Sequence, residues 1–180
     1  MPTMTMTVRT FLAPSVELRA AFLDAQRDYA SGDGRPDADG LTLRDLENGD
    51  FARLVEGIGT GCFPRPGVRP GAAGMELWWC ETAPDGPPRM LGRLCMRHYL
   101  VPALEGRGGQ VWVSIRPSRR GEGLGAELLR DALPRLRAKG LDAPTVVCPV
   151  DHAGARVTVE RVGGVLVREE RGRAVYTLHT

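Results

Sequence analysis

Val111-Trp112-Val113-Ser114-Ile115-Arg116-Pro117-Ser118-Arg119-Arg120-Gly121-Glu122-Gly123-Leu124-Gly125-Ala126 decides how the rest of the chain is read. It starts as an apolar strand, passes through a tight basic and glycine-rich turn, and opens an amphipathic helix. Such a turn gathers unpaired backbone N–H groups at the positive end of a helix dipole, which makes a site for a phosphate or diphosphate. Gly121, Gly123 and Gly125 lack Cβ, so the main chain can approach an anion closely. Arg119 and Arg120 add positive charge beside it. Two other phosphate-binding patterns fail on spacing. A P-loop ends in Gly-Lys-Ser/Thr, which is absent here. A dinucleotide fingerprint needs Gly-x-Gly-x-x-Gly in an early βα unit, whereas here the third glycine comes one residue too soon and the turn lies late in the chain.

Outward from that turn, the flanking segments alternate in type. The helix is expected over Glu122 to Lys139, with Leu124, Leu128, Leu129, Ala132, Leu133 and Leu136 on its core face. Arg137 and Lys139 suit its negative end, Gly140 its C′ position, and Pro134 a bend. Next come a short strand at Thr145 to Val150, a helix at Ala153 to Val162 capped by Asp151, and a hairpin of Val165 to Glu169 with Ala174 to His179. Upstream, Met75 to Thr82, Arg89 to Leu100 and Gln110 to Arg116 form a meander. Its turns are Ala83 to Pro88 and Gly106 to Gly109. The N-terminal part opens with a strand at Val8 to Leu12 and a helix at Val16 to Tyr29 capped by Ser15. A second helix at Leu43 to Ile58 is capped by Thr42 and interrupted near Asn48-Gly49-Asp50. Gly57 to Gly74, dense in Gly and Pro, is a long loop read as a mobile flap or as a disordered surface loop.

The bulk composition bounds the function classes. A chain of 180 residues with 42% apolar residues fits one packed domain. The 24 Lys+Arg nearly balance the 22 Asp+Glu, which argues against a nucleic-acid or membrane-surface partner. No apolar run is long enough for a membrane span, and Met1 to Thr7 lacks the features of a secretory signal. Cys62, Cys80, Cys95 and Cys148 are widely spaced and form no zinc pattern, so no metal is expected. They suit reduced, buried positions in a cytoplasmic protein.

The turn Arg120-Gly121-Glu122-Gly123-Leu124-Gly125, set between its strand and helix, resembles the acyl-CoA motif of the GNAT superfamily of N-acyltransferases. The element order β-α-α-β-β-β-α-β-α-β-β is similar to the GNAT arrangement, an α/β fold on a mixed sheet. The likeness is close from Met75 to Thr180 and loose before it, within one domain spanning residues 1–180. Residues 1–74 would form the acyl-acceptor side with its 57–74 loop, and 75–180 the acyl-CoA core. Arg97-His98, Gly108-Gly109, Ser114-Ile115-Arg116-Pro117, Asp151 and Glu160…Gly163-Gly164 resemble features of a group of bacterial predicted acetyltransferases. The chain departs from that pattern where relatives carry Asn (here His152), Tyr (Val159), His (Gln110) and an Asn-Asp pair (Val101-Pro102).

The resemblance implies direct attack of an amine on the thioester of acetyl-CoA or another acyl-CoA. Val113, Ser114, Ile115, Arg116, Arg119, Arg120, Gly121, Glu122, Gly123, Leu124, Gly125, Ala126 and His152 would bind the CoA. Backbone N–H groups of Val113 to Ile115 would hold the thioester carbonyl, since the central and following strands splay apart in this superfamily. Attack needs a neutral amine, so a base is wanted. His98 is the first candidate and Glu105 the second. His152 would contact the pantetheine arm or protonate the thiolate, and Ser114 would orient the carbonyl or donate to sulfur. At most one of Trp78 and Trp79, on opposite faces by alternation, would line an acyl-acceptor pocket, with Trp112 a further candidate. The expected partner is a small-molecule amine or a peptide terminus, and homodimerisation is left open. The changed residues also allow a CoA-binding module with weak turnover, or altered donor or acceptor chemistry.

Overall fold

The computed structural model describes residues 7–32, 42–59, 74–98 and 109–180. Glu105, Cys62, Val101, Pro102 and nearly all of the 57–74 loop lie outside the described residues. The strands are β1 (Val8–Leu12), β2 (Gly74–Thr82), β3 (Arg89–Arg97), β4 (Val111–Ile115), β5 (Thr145–Pro149), β6 (Val165–Glu170) and β7 (Arg173–Thr177). The helices are α1 (Arg19–Gly32), α2 (Leu43–Asp45), α3 (Phe51–Gly59), α4 (Leu124–Ala138) and α5 (Ala153–Glu160). All seven strands join one sheet in the order β1-β2-β3-β4-β5-β7-β6. Every pairing is antiparallel except β4 with β5. A parallel neighbour requires a crossover, and α4 supplies it.

Period-two alternation sorts the strand residues onto two faces, with one break at a bulge between β2 and β3, where Leu91 is the extra residue between the Cys80↔Met90 and Trp79↔Gly92 pairs. On one face Leu77, Trp79, Leu91, Leu94, Met96, Val111, Val113, Ile115, Val146 and Cys148 pack with Leu124, Leu128, Leu129, Ala132 and Leu136 of α4. On the other, Trp78, Cys80 and Met90 pack with Phe22, Leu23 and Ala25 of α1 and Leu54 and Ile58 of α3. Trp78 and Trp79 therefore fall on opposite faces. Both are fully buried, so neither is available to line an open pocket. Cys80 is likewise sealed, and burial pushes its thiol up to about 12, which leaves no thiolate for chemistry.

The second face carries a charged pair inside the core. Arg93 donates from Nε and Nη2 to the two carboxylate oxygens of Glu76 at 2.8 and 2.7 Å. Trp78 Nε1 donates to the same carboxylate at 2.7 Å, and Cys95 Sγ approaches it at 3.4 Å. A buried ion pair survives when its spare hydrogen-bonding capacity is filled in this way.

The local signals hold with three adjustments. Thr42 and Asp45 form a reciprocal capping box on α2, and Gly49, at φ 126°, breaks the following segment into a π turn before α3. Gly140 takes the left-handed C′ position at φ 76°, with Leu141 N–H returning to Leu136 O. The first adjustment is at Ser15, which precedes a 3-10 turn (Val16–Leu18) but whose side chain accepts no capping hydrogen bond. α1 continues past Tyr29 to Gly32. The second is at α5, which is capped by the His152 ring and not by Asp151: Nδ1 accepts from Ala155 N–H at 3.2 Å. The third concerns the ends of α4, which begins at Leu124, two residues later than expected, and continues through Pro134.

Candidate functional site

The central feature is a fork between β4 and β5. Their parallel pairing consists of the single rung Val111↔Val146. Gln110 closes the root of the fork: its N–H donates to Thr145 O at 2.8 Å, and its Oε1 accepts from Thr145 N–H at 3.3 Å. Beyond that rung the strands diverge. On its other side β4 is fully paired with β3 from Val111↔Met96 to Ile115↔Gly92. Arg97 N–H donates to Gln110 O at one end of this ladder, and Arg116 N–H to Leu91 O at the other. Antiparallel alternation then directs the N–H and C=O groups of Trp112 and Ser114 toward β3. Those of Val113 and Ile115 face the fork. The fork is therefore edged by main-chain donors and acceptors that β5 does not pair. One of them, Ile115 O, accepts from Arg120 Nε at 2.9 Å.

The turn expected to hold a diphosphate sits at the open end of the fork. Pro117–Arg119 forms one 3-10 turn, and the chain then reaches α4 through Gly121 at φ 82° and Gly123 at φ 80°. Both glycines lie in the left-handed region, which costs an L-residue about 1–2 kcal/mol. Gly123 caps α4 without a side chain, and its carbonyl accepts from Ala126 and Glu127 N–H. Among the described residues the N–H groups of residues 121–125 have no backbone partner. A row of such donors at a helix N-terminus is the arrangement that binds phosphate. Gly125 is needed for a different reason: a Cβ there would come within 3.1 Å of Thr158 Oγ1, because α5 packs against α4.

The arginines of this segment divide by role. Arg119 is held by Glu122, Nε to Oε1 at 2.9 Å. That guanidinium holds the Glu122 carboxyl below the usual carboxylate range and neutralises the one negative charge in the turn. Arg120 lies 5.8 Å over the Tyr29 ring. Arg116, expected as a cofactor contact, points the other way. It is buried and donates to Asp24 and Asp28 of α1, each at 2.7 Å, and to Met90 O at 3.2 Å. Asp28 also accepts from the N–H and hydroxyl of Ser118. Burial opposes ionisation of Asp28, but the bonds from Ser118 and Arg116 outweigh it and hold the carboxyl below its ordinary value. The strand-to-turn corner is thus bolted to α1.

Ser114 faces α1, where Tyr29 donates from its hydroxyl to Ser114 Oγ at 2.9 Å. Tyr29 was visible in the sequence only as the expected last residue of the first helix. Arg161, at the end of α5, was also missed. Its Nη1 lies 4.0 Å from where a Cβ on Gly123 would sit, so it adds a cation beside the glycine turn. His152 is exposed, with Nδ1 committed to its cap. His98 is exposed just beyond β3, five residues past the Arg93–Ser114 rung and so about 16 Å along the strand at ~3.3 Å per residue. The structure brings Val113, Ser114, Ile115 and the glycine turn together and leaves His98 at the far end. Among the described residues no group of three or more His, Cys, Asp or Glu side chains could hold a metal ion, and no helix is long and apolar enough to cross a membrane.

No family model and no curated protein matches this chain. Solved structures do. The Microcin C7 self-immunity acetyltransferase MccE, in complex with acetyl-CoA and AMP, aligns over 96% of this chain and 92% of its own, at 11% identity and a TM-score of 0.66. The yncA protein of Salmonella typhimurium, with its cofactor acetyl-CoA, aligns over 96% and 93% at 14% identity and a TM-score of 0.55. An acetyltransferase of the GNAT family from Listeria monocytogenes aligns over 97% and 95% at 11% identity and a TM-score of 0.56. At these identities the likeness is one of fold.

Proposed function

From a chain with the GNAT acetyltransferase fold, we propose an acyl-CoA-dependent N-acyltransferase that moves acetyl from acetyl-CoA to an amine of a small molecule or a peptide terminus. The observation that carries this reading is the fork: main-chain groups of Val113 and Ile115 that β5 does not pair, with Ile115 O taken by Arg120, beside a glycine turn whose N–H groups have no backbone partner among the described residues. The diphosphate of CoA fits the N–H groups of residues 121–125, with Arg161 as an added cation. The pantetheine arm then takes the place of a missing strand partner along β4. A main-chain N–H of β4 polarises the thioester carbonyl, stabilising the oxyanion that forms when the amine attacks. The C–N bond forms first; collapse of the oxyanion then breaks the C–S bond, whose electron pair leaves on sulfur, and the proton of the amine passes to a base.

Ser114 is the side chain nearest this chemistry on β4, and Tyr29 fixes its hydroxyl. In this reading Ser114 orients the carbonyl or donates to sulfur. His98 acts as base only through a chain of several waters that spans its distance from the Ser114 rung, His152 contacts the pantetheine arm through Nε2, and Glu105 is the alternative base. A positioned base contributes about 10²–10⁴-fold. Glu76 is not available for that role, because Arg93 and Trp78 saturate its carboxylate. The lack of a close base among the described residues supports a second reading, a CoA-binding module of low turnover.

Calorimetric titration of acetyl-CoA, followed by thiol release with a panel of amines, tests both. Gly123→Glu places a carboxylate among the phosphate donors, and CoA affinity is expected to vanish while the fold persists. Unchanged affinity in that variant would contradict the site. Tight binding with no thiol release on any amine would select the module.

A further inference from the structure

Gln26 is buried on α1 at 1% exposure, and neither its Nε2 nor its Oε1 has a hydrogen-bond partner among the described residues. Folded proteins pair nearly all such groups, so a buried carboxamide with both ends open wants a partner that arrives from elsewhere. Its place on the helix says where that partner lies. Four residues earlier, Phe22 stacks on Trp78 at 4.6 Å and sits 5.9 Å from the Arg93 guanidinium. Three residues later, Tyr29 bonds Ser114. Residues three and four apart share a helix face. Arg93 and Ser114 are themselves cross-strand partners. Gln26 therefore lies over the Arg93–Ser114 rung, on the face of β4 opposite α4. The fork-facing groups of Val113 and Ile115 flank Ser114 on the same strand.

We infer that Gln26 is a specificity-determining residue of the acyl-acceptor site and that it recognises an amide adjacent to the reacting amine. The inference rests on the acyl-transfer reading. A carboxamide offers a donor and an acceptor side by side, and the group that satisfies both is another amide. A charged group is poorly matched, because Glu76 and Arg93 already neutralise one another in this part of the core. The substrate class is then the free α-amine of a peptide or of an amino-acid amide. The carboxamide is closed from solvent, so such a substrate reaches it only by parting α1 from the sheet.

The test compares wild type with Gln26→Leu on two probes: alanyl-alaninamide, which carries amine and amide, and propylamine, which carries the amine alone. With acetyl-CoA, kcat/KM for the dipeptide amide is expected to fall about tenfold or more in the variant, while that for propylamine changes little. A second readout needs no turnover. Alanyl-alaninamide should raise the melting temperature of wild type in a concentration-dependent way and leave that of Gln26→Leu unmoved. The ligand-free variant should melt no lower than wild type, since leucine removes an unpaired amide. Equal losses on both amines, the same thermal shift in both proteins, or a clearly lower melting point of the ligand-free variant would overturn the assignment. The last result would mean that Gln26 serves a structural water. Failure of wild type to bind acetyl-CoA would instead remove the transfer reading, and the thermal shift would still decide Gln26.

Discussion

Replacing Asp28 by alanine isolates the bolt between α1 and the corner that precedes the glycine turn. The substitution removes the acceptor for Arg116 Nε and for the Ser118 hydroxyl and N–H. Ser118 is exposed and turns to water at little cost. Arg116 is not: its side chain is 5% exposed and keeps only Asp24, itself 54% exposed, and Met90 O. Stripping one partner from a buried pair costs about 3–5 kcal/mol. The surviving Asp24 contact and the better helix propensity of alanine offset part of that, so the net loss should be about 2–3 kcal/mol. For a chain of this size that lowers the melting temperature by about 5–10 °C.

The pH dependence follows from the sign of the Asp28 shift. Against the opposing effect of burial, its carboxyl is held below its ordinary value in the folded protein by the bonds from Ser118 and Arg116. Its contribution is therefore fully present above the unfolded-state value and is lost as pH falls through the lower folded one. Denaturant melts of both proteins at neutral pH and in acid would show a gap that closes only at the acid end. A difference below about 0.5 kcal/mol at neutral pH, within the range of an ordinary surface change, would refute the clamp. So would a gap that persists unchanged into acid.

Two shorter expectations concern the second half of the site. Arg161→Ala should weaken acetyl-CoA binding about fivefold or more, with a smaller effect at high salt, because it removes one charge beside an anion; salt-independent affinity equal to wild type would place Arg161 outside the site. His152→Ala should cost roughly 1 kcal/mol of stability through the lost cap, and His152→Asn should restore most of it. Equal melting of all three proteins would show that the ring contributes nothing to α5.

Local signals in the sequence were sufficient for most of the fold. β1 spans Val8–Leu12 as expected, because alternation and its turn boundaries are local properties. Thr42, Gly49, Gly140 and the glycine turn were legible for the same reason: caps and left-handed positions are set by neighbours within a few residues. The cap of α5 was not. Aspartate is the commoner cap, and only the backbone course at His152, φ −86° and ψ 76°, puts the ring in reach of Ala155 N–H.

What the sequence by itself determined was the glycine turn between strand and helix, the order of elements and the two-faced sheet, since periodicity and spacing carry them. What only the tertiary structure decided was who meets whom across long separations. Arg116 turns to Asp24 and Asp28, 92 and 88 residues away, and not to the turn beside it. Tyr29 reaches Ser114 across 85 residues. Gln26 becomes an amide without a partner among the described residues only because α1 lies down on the sheet. Such contacts depend on how helices settle on a sheet, and no spacing along the chain encodes that. The depth of the β4–β5 fork is of the same kind: it is where a parallel ladder stops after one rung, a property of two strands and not of either one.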